Sequence, residues 1–220
     1  MLELFAKDMR ITKIGHSCLL IEEGTVRILM DPGNYSPVPQ AEGVDVVLIT
    51  HEHDDHCYLP AIQEVIEKNP AAEVITHAAV GKKLEAVGLK WTAIADGEAL
   101  QRNGVKVASY GSKHARIHQD IPIVANTGFL IADRLFYPGD SFYVPPVAME
   151  ILALPVAAPW MRLEECIEYA MALKPNVAFP VHDGMLKPEC RGSSKMLPEK
   201  LLVPHGIKFV DAVEDTVLEF

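Results

Sequence analysis

The sequence predicts an α/β protein in which sheet packs on sheet and helices cover the outer faces. Three observations lead there. Short β-type runs recur along the whole chain, broken by Gly, Pro and Asp. A few helical segments are inserted between them. No linker, repeat or low-complexity tract divides the 220 residues, so residues 1–220 read as one domain, and 49% apolar content is enough for a full core.

In chain order, the first two expected strands are SCLLIE (17–22) and TVRILM (25–30), with EEG between them as a hairpin turn. VDVVLIT (44–50), AEVITH (72–77), GVKVASY (104–110) and TGFLIA (127–132) follow. The remainder are RLFYPG (134–139), EILALP (150–155), NVAFPV (176–181), IKFVD (207–211) and TVLEF (216–220). A first helix, PAIQEVIEKN (60–69), opens on Pro60, which suits the first helical position. Its Ile62, Val65 and Ile66 share one face. A second, HAAVGKKLEAVG (77–88), stops at Gly88. In a third, RLEECIEYAMAL (162–173), Leu163, Cys166, Ile167, Ala170 and Met171 have the spacing of a buried stripe. A fourth, SKMLPEKLL (194–202), is weakened by Pro198.

The formal net charge is −10. That balance argues against nucleic acid or an anionic membrane surface as partner, but not against a small anionic substrate, which meets only the local field of a site. No long basic stretch with interleaved aromatics is present. Cys18, Cys57, Cys166 and Cys190 form no C-x-x-C pair and read as reduced thiols. The start MLELFAKDMR has no apolar leader, and no apolar run is long enough to span a bilayer. The expectation is a cytoplasmic protein acting on a small molecule, with homo-oligomerisation left open.

Chemistry concentrates in THEHDDH (50–56), directly after an apolar run. His51, His53, Asp55 and His56 form an H-x-H-x-D-H pattern. Imidazole and carboxylate suit a borderline divalent ion such as Zn²⁺, with Mn²⁺ or Fe²⁺ as alternatives. In an extended loop His51 and His53 point the same way and can grip one ion, leaving Asp55 and His56 to hold a second. Each ion then needs further ligands, and His114, Asp140 and His182 all follow expected strands. Asp140, with two oxygens, is placed to bridge.

T-H-x-H-x-D-H after a strand, then a later His, then G-D, then a final His, resembles the metallo-β-lactamase superfamily. IGHSCLLIE and ILMDPG further resemble the small bacterial metal-dependent hydrolases of the branch that includes ascorbate-phosphate lactonases. The resemblance implies a four-layer αββα sandwich with a dinuclear site at one edge. It implies His51, His53 and His114 on the first metal, Asp55, His56 and His182 on the second, and Asp140 between them. No cysteine ligand follows the third histidine, so a β-lactam substrate is not expected. Where the nearer branch has a glycine pair after EILALP, this chain reads VAAPW, which leaves the substrate pocket open.

Several residues remain two-sided. His118 rivals His114 as the third histidine. His16 either contacts substrate or bonds within the core. Asp31 either orients a metal-binding histidine or makes a turn. Trp160 either walls the pocket or packs elsewhere. Cys57 reads as packing, Asp183 as a loop residue, and His77 and His205 as ordinary surface or loop histidines. Lys113, Arg116 and Lys187 could meet an anionic group but read as solvated. The expected activity is hydrolysis of an ester, lactone or phosphodiester by a hydroxide activated between two metals, with Asp55 as the catalytic acid–base group. The rival readings are a di-iron redox protein and a non-catalytic metal-bound module.

Overall fold

Val46 and Leu48 face one way and Val47 and Ile49 the other, yet all four are buried. A strand apolar on both faces needs partners on both. The computed structural model, which describes residues 9–220, supplies them. Of the N-terminal stretch MLELFAKDMR, read above as lacking an apolar leader, residues 1–8 lie outside the described residues and Met9 and Arg10 open the first strand.

One sheet contains β1 (Met9–Gly15), β2 (Cys18–Glu23), β3 (Val26–Met30), β4 (Val46–Leu48), β5 (Glu73–Thr76), β6 (Thr92–Ala93) and β14 (Thr216–Glu219). Its order is β14-β1-β2-β3-β4-β5-β6. The other contains β7 (Ala99–Arg102), β8 (Val105–Tyr110), β9 (Gly128–Ile131), β10 (Leu135–Tyr137), β11 (Ile151–Pro155), β12 (Val177–Val181) and β13 (Lys208–Phe209). Its order is β13-β12-β11-β10-β9-β8-β7. Each sheet is antiparallel in one half and parallel in the other. Parallel neighbours need crossovers; helices provide four of them, and the helix-free segments 31–45 and 138–150 provide the other two, β3 to β4 and β10 to β11. Helices α1 (Leu59–Lys68) and α2 (Ala78–Glu85) serve the first sheet, α3 (Leu163–Leu173) and α4 (Gly192–Leu202) the second.

Three apolar clusters define four layers. A central one, including Leu48, Ile75, Phe129, Tyr137, Ala153 and Phe179, lies between the sheets. Val47, Ile49 and Val74 pack outward on Ile62, Val65 and Leu84 of α1 and α2. Leu152, Leu154 and Ala178 pack outward on Cys166, Ile167, Ala170 and Leu202 of α3 and α4. This is the αββα sandwich, and each fully buried Leu, Ile or Phe contributes about 1.5–3 kcal/mol to it. Cys18, Cys57 and Cys166 are buried free thiols, and Cys190 is an exposed one. No described helix is long and apolar enough to cross a membrane.

Three strands were not anticipated. β6 is two residues long and β7 is largely exposed, so neither carries an apolar alternation. β1 does alternate, but its inward positions are Met9, Ile11 and then Lys13, and a lysine disguises the pattern. The hairpin turn falls on Gly24 and Thr25, one residue later than expected, with Gly24 at φ +61°.

Candidate metal centre

Each expected ligand follows a strand end. His51, His53, Asp55 and His56 come after β4, His114 after β8, Asp140 after β10, and His182 directly after β12. Side chains from both sheets therefore meet at one rim. Residues 52–56 form a tight turn in place of the extended loop expected: the N–H groups of His56 and Cys57 both donate to the His53 carbonyl, at 3.0 and 2.7 Å.

The structure assembles two groups whose ligand-type atoms lie within 4.8 Å of one another. One is His51, His53, His114 and Asp140. The other is Asp55, His56, His182 and also His16, whose place sequence left undecided. Asp140 faces both. Its Oδ1 is 3.1 Å from His56 Nε2, and its Oδ2 is 3.0 Å from His182 Nε2 and 3.3 Å from His114 Nε2. His118 projects away beside Asp120 and is exposed, so His114 is the histidine that joins the group. Ala115 N–H donates to the Asp140 carbonyl at 2.8 Å, stitching the His114 loop onto the Asp140 loop.

A tetrahedral zinc with bonds of about 2.0–2.1 Å spaces its donors about 3.3 Å apart. The cage edges fit that: 3.1 Å between His51 Nε2 and His53 Nδ1, 3.6 Å between His182 Nε2 and Asp55 Oδ2, 3.8 Å between His56 Nε2 and Asp55 Oδ2. The Nε2 atoms of His56, His114 and His182 and Oδ1 of Asp140 are buried without a hydrogen-bond partner. Buried polar atoms left bare are expensive, and a cation at these positions would satisfy all of them.

The remaining ring nitrogens are wired for ligation. His56 Nδ1 donates to Asp31 Oδ2 at 2.7 Å, His114 Nδ1 to the Ala115 carbonyl at 2.5 Å, and His182 Nδ1 to the Ala157 carbonyl at 2.6 Å. Asp31, at φ +40°, is thus the orienting carboxylate. It also accepts from Thr50 N–H at 2.8 Å and from the Thr50 hydroxyl at 2.7 Å. That hydroxyl in turn lies 3.0 Å from His51 Nδ1 and accepts its proton. In a neutral ring, an oxygen acceptor on Nδ1 leaves the lone pair on Nε2, facing the cage; His56 would give up its second proton on binding a cation.

Burial would lower His56, but Asp140 and Asp31 outweigh it and raise it well above the usual imidazole range. Burial would raise Asp140, yet His56 and His182 hold it well below the usual carboxylate range. Burial would raise Asp55 too, but His16 at 3.4 Å, then His56 and His182, bring it down to about 2. Burial pulls His51 well down, lowers His53, and takes His16 to about 4.

The cage opens into a cavity of about 400 Å³. Asn34, Tyr35, Ile117, Pro159, Trp160 and Met185 form its walls. Trp160 does wall the pocket, and its indole N–H donates to Asp140 Oδ2 at 2.8 Å. Lys113, Arg116 and Lys187 are not among the lining residues.

Sequence reading missed several supports. Asn126 accepts Asp140 N–H at 3.0 Å and donates to the Pro138 carbonyl at 2.9 Å. It reaches them because Gly139 has no side chain; a Cβ there would lie 2.3 Å from Asn126 Oδ1. Asp183 is no plain loop residue. It is buried against Lys13 Nζ at 2.7 Å and also pairs with Arg191. His77 caps α2 and donates to the Thr50 carbonyl at 3.1 Å, while His205 is exposed.

The family described as beta-lactamase superfamily domain matches residues 10–182. Protein Rv0786c of Mycobacterium tuberculosis is 38% identical over 84% of this chain and 88% of its own length. A UPF0173 metal-dependent hydrolase of Aeropyrum pernix is 29% identical over 96% of this chain and 98% of its own. Among solved structures, Igni18, a metallo hydrolase from Ignicoccus hospitalis, superposes with a TM-score of 0.75 at 20% identity, covering 97% of this chain and 98% of that one. CmlA, a diiron beta-hydroxylase from Streptomyces venezuelae, gives 0.78 at 16% identity, covering 97% of this chain and 54% of that one. Those two likenesses show the fold alone. With the matched span running from β1 to the last cage histidine, the chain belongs to the metallo-β-lactamase superfamily.

Proposed function

We propose that this chain is a metal-dependent hydrolase whose two His/Asp groups hold a pair of divalent cations and which opens an ester or lactone of a small molecule. The wiring of the imidazoles carries the reading: His56, His114 and His182 each give Nδ1–H to an oxygen and turn an unpartnered Nε2 inward. His51, His53 and His114 would hold the first cation, Asp55, His56 and His182 the second, and Asp140 would touch both. When bound, such a pair lowers the pKa of a water from about 16 toward about 7 and polarises the bond under attack.

The two aspartates differ in what they can do. Asp140 is 4% exposed and fixed by Trp160 and Asn126, so it anchors. Asp55 is 21% exposed, lines the cavity and stays ionised. Its Oδ2 can take a proton from the attacking water and return it to the leaving group. Trp160, Tyr35 and Met185 give the cavity its apolar and aromatic wall. With no Lys or Arg in the lining, nothing from the protein neutralises a phosphate. That favours a carbonyl ester or lactone over a phosphodiester. A cavity of this size suits a small molecule. Zinc is the proposed ion, with manganese or iron as alternatives for a nitrogen–oxygen ligand set.

The test is elemental analysis of protein purified without added metal, paired with turnover of ester, lactone and phosphodiester panels. Two equivalents of metal and turnover confined to carbonyl substrates are expected. Failure to take up metal after soaking in zinc or manganese, or no turnover by the loaded protein, would overturn the reading.

A further inference from the structure

The stretch VAAPW (156–160) is tied to the cage and also lines a second recess beside it. The Ala157 carbonyl accepts His182 Nδ1–H at 2.6 Å, and Trp160 N–H donates to Asp140 Oδ2 at 2.8 Å. Val156 N–H donates to the Val181 carbonyl at 3.1 Å, one residue before His182. The segment is therefore held against the cage along its length. The recess is a groove of about 430 Å³ that shares Pro159 and Met185 with the cavity over the cage. Its other lining residues are Val156, Ala157, Ala158, Met161, Leu163 and Leu186, so every side chain lining it is apolar. The cavity contrasts with it, since the imidazoles and carboxylates of the cage face that side. Pro159 is exposed and Met185 is 44% exposed, although both are apolar. Contiguous apolar surface left open at the mouth of a reaction cavity marks a place for the apolar part of a ligand.

We propose that this groove takes an unbranched apolar arm of the substrate, so that the compounds opened at the cage are esters or lactones with an alkyl or acyl tail and not compact polar ones. This rests on the hydrolase reading above and narrows it. The polar cavity receives the carbonyl end, and the arm runs past the shared Pro159 and Met185 toward Met161, Leu163 and Leu186. The occupant is the substrate's own arm because the boundary of the groove is also the boundary of the cavity. An arm ending in a phosphate or carboxylate would lose water there and find no charged partner. Removing one methylene from water in a closed site is a gain of about fourfold, and a groove open on one side gives about twofold to fourfold.

The test uses the whole chain loaded with zinc and two substrate series, para-nitrophenyl esters from acetate to decanoate and γ-lactones with tails from none to octyl. In at least one series kcat/KM should rise about twofold to fourfold per added methylene and level off once the arm outruns the groove. Met161→Gln and Leu163→Gln, which keep the bulk of the side chain, should flatten that rise. Methyl-¹³C-methionine NMR reads binding apart from turnover. Methyl octyl ketone, which cannot be hydrolysed, should shift the Met161 and Met185 methyls with or without zinc, while acetone leaves them in place. No dependence on arm length in either series, or a rise unchanged in both variants, would overturn the proposal. So would a ketone that shifts Met171, in the cleft between α3 and α4, in place of Met161. A dimer in sedimentation that Met161→Gln disperses would seat a second copy in the groove and overturn it as well. If no ester or lactone of any length is turned over, the hydrolase reading falls, and the methionine shifts alone decide whether the groove takes an apolar ligand.

Discussion

Replacing Gly33 by alanine tests the site through its backbone. Gly33 lies in the turn after β3, and its own φ is not in the left-handed region, so alanine meets no conformational objection there. The obstacle is space. A Cβ at Gly33 would lie 1.8 Å from the Asp55 carbonyl oxygen, 2.0 Å from its carbonyl carbon and 2.5 Å from His56 N. Real Cβ atoms essentially never come within 3.0 Å of such atoms, so a gap of at least 1.2 Å must open between the two segments. Both are stitched together: Asn34 N–H donates to the Asp54 carbonyl at 2.8 Å and Tyr58 N–H to the Pro32 carbonyl at 3.2 Å. The strain therefore falls on Asp55 and His56, both in the second group. Overpacking of this kind costs about 1–3 kcal/mol, and displacing reacting groups by about 1 Å lowers turnover about 10²-fold. Zinc titration with kcat measurement is the assay. Gly33→Ala should lose the second zinc before the first and turn over about 10²-fold more slowly. Gly192→Ala is the control, since nothing lies within 4 Å of a Cβ there. Full zinc content and wild-type kcat in Gly33→Ala would show that the close approach does not position the ligand turn.

Asp55→Asn should cut kcat by about 10²–10⁴-fold while circular dichroism stays native, because it removes the proposed proton acceptor; a near-normal rate would rule that role out. Asp31→Asn should weaken zinc binding about 10–100-fold by slackening the His56 ring, and unchanged affinity in a chelator competition would refute the orienting role. The metal-free protein should be acid-labile between pH 6.5 and about 4. His16, His51 and His53 have lowered folded-state pKa values, so the unfolded chain binds more protons below pH 6.5 and stability falls as pH falls. His16 alone, at about 4, accounts for on the order of 2 kcal/mol between pH 6.5 and about 5, or a Tm lower by about 4–8 °C. His56, raised in the folded state, opposes this only slightly just below pH 6.5, by on the order of a few tenths of a kcal/mol, and not at all once the unfolded imidazole is also protonated. A flat or rising Tm of chelated protein over that interval would contradict the assignment. Lys13→Met should leave Asp183 buried beside Arg191 alone and destabilise the fold by about 3–5 kcal/mol, measured by urea denaturation.

Residue types and their order carried most of the site into view. Three histidines and two aspartates within six positions have little reason to follow a buried strand unless something divalent sits there, and Asp140 and His182 stand where strands end. The sequence placed His114 in the site with His118 as its rival, and only the structure separates the two. The two are the same residue type four apart, and what separates them is Val124 O accepting the His114 N–H at 3.0 Å and the Asp140 carbonyl accepting Ala115 N–H. The place of His16 beside Asp55, His56 and His182 was equally hidden, because a distant glycine N–H on its Nδ1 helps seat it there. β1 escaped notice since Lys13, an inward-facing strand residue, finds its carboxylate and two carbonyls 167 or more residues later. Local patterns report local periodicity; His16 and Lys13 are seated by contacts between opposite ends of the chain, and His114 by the neighbouring loops that carry Val124 and Asp140.

The cage draws on both halves of the sandwich, and that has a mechanical corollary. Cations seated there would act as rivets across the seam between the two leaflets, alongside the Lys13–Asp183 clasp just behind them. Chelation should therefore unfasten the rim first, while the helix-clad exteriors stay closed. Hydrogen exchange after metal withdrawal would quicken around 50–57, 111–116 and 180–184 well before it reaches the backing of α1 or α3.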